Sequence, residues 1–148
     1  LEHLRDPAPV LGKLRALLRP GGALLVSIPN VAFLSVRLGL LLGRFNYQAE
    51  GLLDSTHLRF FTRATSRRLL EDAGFTIDSE SMTLPIPAGS LPSLAPQFKW
   101  LMERPRLGGA LYNALSLVPG LFAYQFIYAA KAVEAPSGPS AAGAQRRS

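Results

Sequence analysis

Cysteine is absent from the 148 residues. That excludes a disulfide framework and any thiolate metal site, and it is compatible with a reducing cytoplasm. Lysine is nearly absent as well: Lys13, Lys99 and Lys131 stand against 13 arginines. A net charge of +6 ordinarily points to nucleic acid or an anionic surface. The arginines are scattered, however, at positions 5, 15, 19, 37, 44, 59, 63, 67 and 68, with no basic run outside the tail. No nucleic-acid partner is expected. Histidine occurs only at His3 and His57, so any imidazole chemistry must use one or both. No initiator methionine and no charged-then-apolar leader opens the chain. It reads as cut from the middle of something longer. Internal repeats are lacking, and no G-x-G-x-x-G follows an apparent strand.

What is present suffices for one core. The chain is 48% apolar, and the apolar content is rich up to Val133. The last stretch, "EAPSGPSAAGAQRRS", is small, polar and Pro/Gly-rich, and reads as a disordered tail over 134–148. Residues 1–133 read as a single partial domain.

Local signals order that domain. In "RDPAPVLGKLRALLRPGG" (5–22), Asp6 suits a helix N-cap and Pro7 the first helical position. Val10, Leu11, Leu14, Leu17 and Leu18 make one apolar face, and Pro20-Gly21-Gly22 stops the helix. "ALLVSIPN" (23–30) then reads as a buried central strand of a parallel sheet, ended by Pro29. Residues 31–45 are apolar nearly all round and too short to cross a bilayer. They predict a buried or lid helix, with contact at a membrane interface as the alternative. A loop follows over 46–61. Thr62 is placed to cap a helix over 63–73, and Gly74 stands where a left-handed residue is wanted. A strand from Phe75 to about Leu84 is expected at a sheet edge. Residues 84–96 are a Pro-rich connection, short helices are expected near 97–104 and 108–117, and "FAYQFIYAAKAV" (122–133) reads as a last strand. Between Leu107 and Ala130 no charged residue occurs. That length could span a bilayer, but its Gly, Asn, Pro and Gln content and its aromatic cluster favour the strand.

Taken in order, "LEHLRDPAPVLGKLRALLRPGGALLVSIPN", "THLRFFT" and "LLEDAGF" resemble the C-terminal half of class I S-adenosylmethionine-dependent methyltransferases. The closer likeness is to the branch associated with bacterial cell-envelope sugar and O-antigen chemistry. The resemblance covers roughly residues 1–83 and, more loosely, the last strand. It implies an α/β, Rossmann-like fold of which this chain supplies about three strands with flanking helices. "ALLVSIPN" would be the fifth strand of the family's sheet, "GFTIDSESMTL" the sixth and "FAYQFIYAAKAV" an antiparallel seventh. The family's Gly-rich donor loop and its ribose-binding acid belong to the first half and are missing from these residues. The implied function is therefore the acceptor-side part of a methyltransferase using S-adenosylmethionine. The acceptor would be a small hydroxylated or sugar-linked molecule, methylated on oxygen. The chain alone is expected to be inactive, and its place to be the cytoplasm, up to the inner face of the membrane. Two other readings stand beside it: a non-catalytic partner-binding module, and a membrane-associated accessory protein.

The resemblance also singles out residues. His57 in the loop is expected to face the acceptor as a general base, since an unperturbed imidazole titrates near neutrality; a bond to the loop backbone is the competing role. Glu2 and His3 lie where the family holds its donor, and His3 is a second catalytic candidate. Some quinone-pathway O-methyltransferases use a similar Glu–His element for a metal. That would need another carboxylate three residues before Glu2, which this chain lacks, so no metal is expected. Asn30 is a candidate for acceptor contact at the pocket mouth or for capping the next helix. Tyr47, Asp54 and Arg59 are candidate acceptor contacts, Arg59 for an acidic or phosphorylated group. Asp54 and Thr56 are expected to orient the His57 ring. Phe60 and Phe61 read as packing anchors, and Arg63, Arg67 and Arg68 as a solvated helix face.

Overall fold

The computed structural model describes residues 1–84 and 104–133. The Pro-rich connection beyond Leu84, the helix expected near 97–104 and the tail over 134–148 lie outside the described residues.

Helix α1 spans Pro7–Leu17, with Asp6 as N-cap accepting from the Ala8 amide and Pro7 at its start. Both signals are as read. Its apolar face is narrower than the spacing implies. Leu11 is fully buried and Leu18 packs on the core, while Leu17 is 80% exposed. A tight turn through Gly21, at φ +75°, leads into β1, Ala23–Pro29.

β1 is not a central parallel strand. It pairs antiparallel with β3, Gln125–Ala132, which also pairs antiparallel with β2, Phe75–Thr83; the strand order is β1-β3-β2. The last strand is thus antiparallel and β2 lies at an edge, both as expected, and the last strand takes the central place. β1 is the other edge. Leu24, Val26 and Ile28 face the core, while Leu25 between them is 73% exposed. An apolar run does not distinguish a strand covered on both faces from one whose outer face lacks a layer.

α2 covers only Leu34–Leu41, shorter than the apolar run, because the chain turns off through Gly43 at φ +68°. α3, Arg63–Asp72, begins at Thr62, whose hydroxyl accepts from the Thr65 amide while Thr65 Oγ1 accepts from the Thr62 amide. It ends at Gly74, φ +83°. Ser66 and Tyr128 tie α3 to β3 through a buried hydroxyl–hydroxyl bond of 2.6 Å. The arginines of α3 are not simply solvated: Arg63 and Arg68 are exposed and Arg67 half-buried, but Arg63 and Arg67 both bond Glu80 on β2, at 2.6 and 2.7 Å.

The uncharged stretch after Leu107 is split between α4, Pro105–Ser116, the single turn α5, Pro119–Phe122, and β3. Among the described residues no helix is long and apolar enough to cross a membrane. The core gathers Leu11, Ile28, Phe61, Leu70, Phe75, Met82, Phe126 and Tyr128 where the helices meet one face of the sheet.

Candidate active site

Two distant segments are zipped together by their backbones. The Glu2 carbonyl accepts from the amides of Leu58 and Arg59, at 2.8 and 3.0 Å. The Arg59 guanidinium adds two bonds to the Arg5 carbonyl, at 2.8 and 2.5 Å. Arg59 is therefore occupied in holding the N-terminal segment, a different task from the expected one of receiving an acidic acceptor. Downstream, Val31 donates to the Phe61 carbonyl at 2.9 Å and Phe61 is buried, so the loop's exit is anchored to the end of β1. Phe61 is the packing anchor expected of it. Phe60 instead joins Phe45, Tyr47 and His57 in a partly exposed aromatic group, with centroid separations of 5.8, 6.3 and 6.3 Å. Tyr47 remains 57% exposed beside this group.

The zipper brings the two histidines into contact. The His3 and His57 rings meet edge to face at 4.9 Å. Their hydrogen bonds constrain which nitrogen carries hydrogen. His57 Nδ1 lies 3.3 Å from the Leu52 carbonyl, which can only accept. His3 Nδ1 lies 3.3 Å from the Thr56 carbonyl and 3.2 Å from its hydroxyl. That hydroxyl has already given its proton to Asp54, at 2.7 Å. Both Nδ1 atoms are donors, so in the neutral rings both Nε2 atoms carry free electron pairs. Asp54 and Thr56 thus orient His3, not His57 as the sequence suggested. The side-chain and then the backbone bond from Thr56 hold the Asp54 carboxyl below the usual range.

Glu2 completes the group. Its carboxylate lies 3.8 Å from His3 Nε2. Burial alone would raise its pKa. Bonds from its own backbone and from the Leu1 ammonium, with the charges of that ammonium and of His3, outweigh burial and keep it ionised below the ordinary range. One donor atom each from Glu2, His3 and His57 lies within 4.8 Å of the others. The Glu2 carbonyl is taken by the loop and one carboxylate oxygen by the Leu1 ammonium at 3.0 Å.

Asn30 does not line a pocket mouth. Its side chain is fully buried. Nδ2 donates to the carbonyls of Ala123 and Gly120, at 2.8 and 3.2 Å, and Oδ1 accepts from Ala32 at 3.1 Å. It does not cap α2 either, whose N-cap is Phe33. Tyr124 was not singled out in the sequence. Its ring meets Phe33 at 5.8 Å, its hydroxyl bonds the Leu52 main chain, and burial pushes its pKa up. Lying just before the last strand, it looks in sequence like one more packing aromatic.

The chain is thus a mixed α/β domain with a two-histidine, one-carboxylate group on the loop side of its sheet. It belongs to the methyltransferase-domain family, whose model matches residues 1–80. Among curated proteins no match to the chain is found.

Proposed function

We propose that the chain is the acceptor-side part of an S-adenosylmethionine-dependent methyltransferase that methylates an oxygen of a small hydroxylated or sugar-linked acceptor, in the cell-envelope branch its motifs resemble. Family membership supports methyl transfer. The observation that carries the finer reading is the meeting of His3 and His57, the chain's two histidines, beside the Glu2 carboxylate. The donor supplies an activated methyl group on sulfur, so the protein's tasks are alignment and removal of the acceptor's proton. His57 suits the second task. Its Nδ1 is bound to the Leu52 carbonyl, which leaves Nε2 to take the hydroxyl proton. The aromatic group of Phe45, Tyr47 and Phe60 beside it offers the apolar and π surfaces that sugar rings stack on.

With no Gly-rich loop and no ribose-binding acid in the sequence, these 148 residues alone should bind S-adenosylmethionine weakly or not at all. Micromolar affinity in calorimetry would overturn the acceptor-side assignment. Methyl transfer is tested by fusing a donor-binding half upstream of Leu1 and following labelled methyl groups onto hydroxylated sugars.

A second reading, contact with the membrane surface, draws on α2 and the turn after it. Leu38, Leu40, Leu41 and Leu42 are between 50% and 81% exposed, flanked by Arg37 and Arg44 with no acidic residue from Val31 to Ala49. Exposed leucines with flanking arginines suit an anionic interface. The chain should then float with anionic liposomes, and a Leu41→Glu, Leu42→Glu variant should not. Flotation of neither form would remove this reading.

A further inference from the structure

We infer that Glu2, His3 and His57 together form a binding site for a divalent first-row transition cation, with zinc as its natural probe. The inference goes beyond methyl transfer and does not depend on it. Its root is the hydrogen-bond pattern. In the neutral rings each Nδ1–H is given to oxygen, which leaves both Nε2 electron pairs unused, and one donor atom from each of Glu2, His3 and His57 lies within 4.8 Å of the others. Three converging electron-pair donors repel one another unless a proton or a cation lies between them. Imidazole nitrogen and carboxylate oxygen are the donors that borderline divalent ions prefer, and two histidines with one carboxylate leave an open position for water or a hydroxyl oxygen.

The dimensions suit such an ion. Metal–ligand bonds of about 2.0–2.2 Å in a tetrahedral site place donor atoms about 3.3–3.6 Å apart. His3 Nε2 and Glu2 Oε1 are already at 3.8 Å, and the widest separation in the group is within 4.8 Å. His3 is exposed and can turn to close the remainder. The supports behind the ligands are also in place. Thr56, itself held by Asp54, orients His3, and the Leu52 carbonyl orients His57. Outer partners of this kind fix the tautomer and ring plane of a ligating histidine. The donor set was hidden in the sequence because His57 lies more than fifty residues from Glu2 and His3. His57 comes from the loop that the Glu2 carbonyl pins in place. With a cation bound, His57 is a ligand, and the cation itself lowers the pKa of a hydroxyl it holds.

Activity would not separate a base from a ligand, so the test reads binding. The untagged, metal-stripped chain is titrated with Zn²⁺ by calorimetry and with Co²⁺ by visible absorption. One equivalent should bind, with the intense visible bands of low-coordinate cobalt. His3→Ala and Glu2→Gln should each weaken zinc binding by about tenfold or more, and the exposed His3 can be removed without unfolding the chain. No binding to the wild type, or equal binding by these two variants, overturns the site whatever becomes of the methyl-transfer reading.

Discussion

An Asn30→Leu chain should be less stable than wild type by about 2–4 kcal/mol. For a domain of this size that is a melting temperature lower by roughly 5–15 °C. Leucine matches the branched outline of asparagine but none of its bonds. The Ala123 and Gly120 carbonyls lose their donor and the Ala32 amide loses its acceptor. The Ala123 bond is buried, and Ala123 itself is fully buried, so water cannot easily replace the amide there. An unmade buried hydrogen bond costs the full desolvation of the group left behind. Asn30 also stands at a junction. Its backbone amide reaches the Tyr124 carbonyl at 2.9 Å, and its side chain ties the end of β1 to the turn before β3 and the start of the α2 approach. Asn30→Asp should be damaging too, because it keeps the acceptor for Ala32 but loses both donated bonds and buries a charge. Chemical denaturation measures the loss. A cost below about 1 kcal/mol for Asn30→Leu, with weakened acceptor binding, would return the residue to the substrate-contact role the sequence suggested.

The contrast between Asn30 and the helix caps shows which parts of this molecule are legible in a sequence. Asp6 with Pro7, Thr62 and Gly74 act on backbone groups within three residues of themselves, and each does what its local chemistry dictates. Asn30 also looks local, following a strand and preceding a helix, yet its partners Gly120 and Ala123 come from the far end of the domain. The same holds for Arg63 and Arg67. Their helical spacing suggests solvent, and only the pairing of β2 beside α3 brings Glu80 within reach. β1 was misread for a related reason. Its alternate residues Leu24, Val26 and Ile28 would be buried in either setting, and the exposure of Leu25 depends on what covers the other face. The antiparallel placement of β3 could be anticipated only from the family's motif order, since neither strand content nor hydropathy carries direction. The candidate site was half legible. His57 and His3 were each marked by scarcity and by motif, but their contact depends on two amides of the loop meeting the Glu2 carbonyl.

On the proposed function, His57→Ala in the chain joined to a donor-binding half should lower turnover by about 10²-fold or more, while the chain's stability falls by only about 1 kcal/mol. The stability cost follows from what the ring does structurally. It gives one bond to the Leu52 carbonyl and lies against Phe60 and His3, whereas the loop's anchors are elsewhere: buried Leu52 and Phe61, and the amides of Leu58 and Arg59 on Glu2. The loop should therefore keep its path without the imidazole. The activity cost follows from chemistry that no neighbour can take over. The Asp54 carboxyl, which already accepts two bonds from Thr56, is held below its ordinary range and is a weak base at neutrality. His3 remains, but with Nε2 turned toward Glu2 and its ring exposed. Thr56→Val offers the comparison. It removes the hydroxyl that steadies His3 and leaves the His57–Leu52 bond in place, so its effect on turnover should be much smaller than that of His57→Ala. Activity that survives His57→Ala while the melting temperature drops sharply would make the histidine a latch for the loop. Equal losses from Thr56→Val and His57→Ala would move the proton-accepting role to His3.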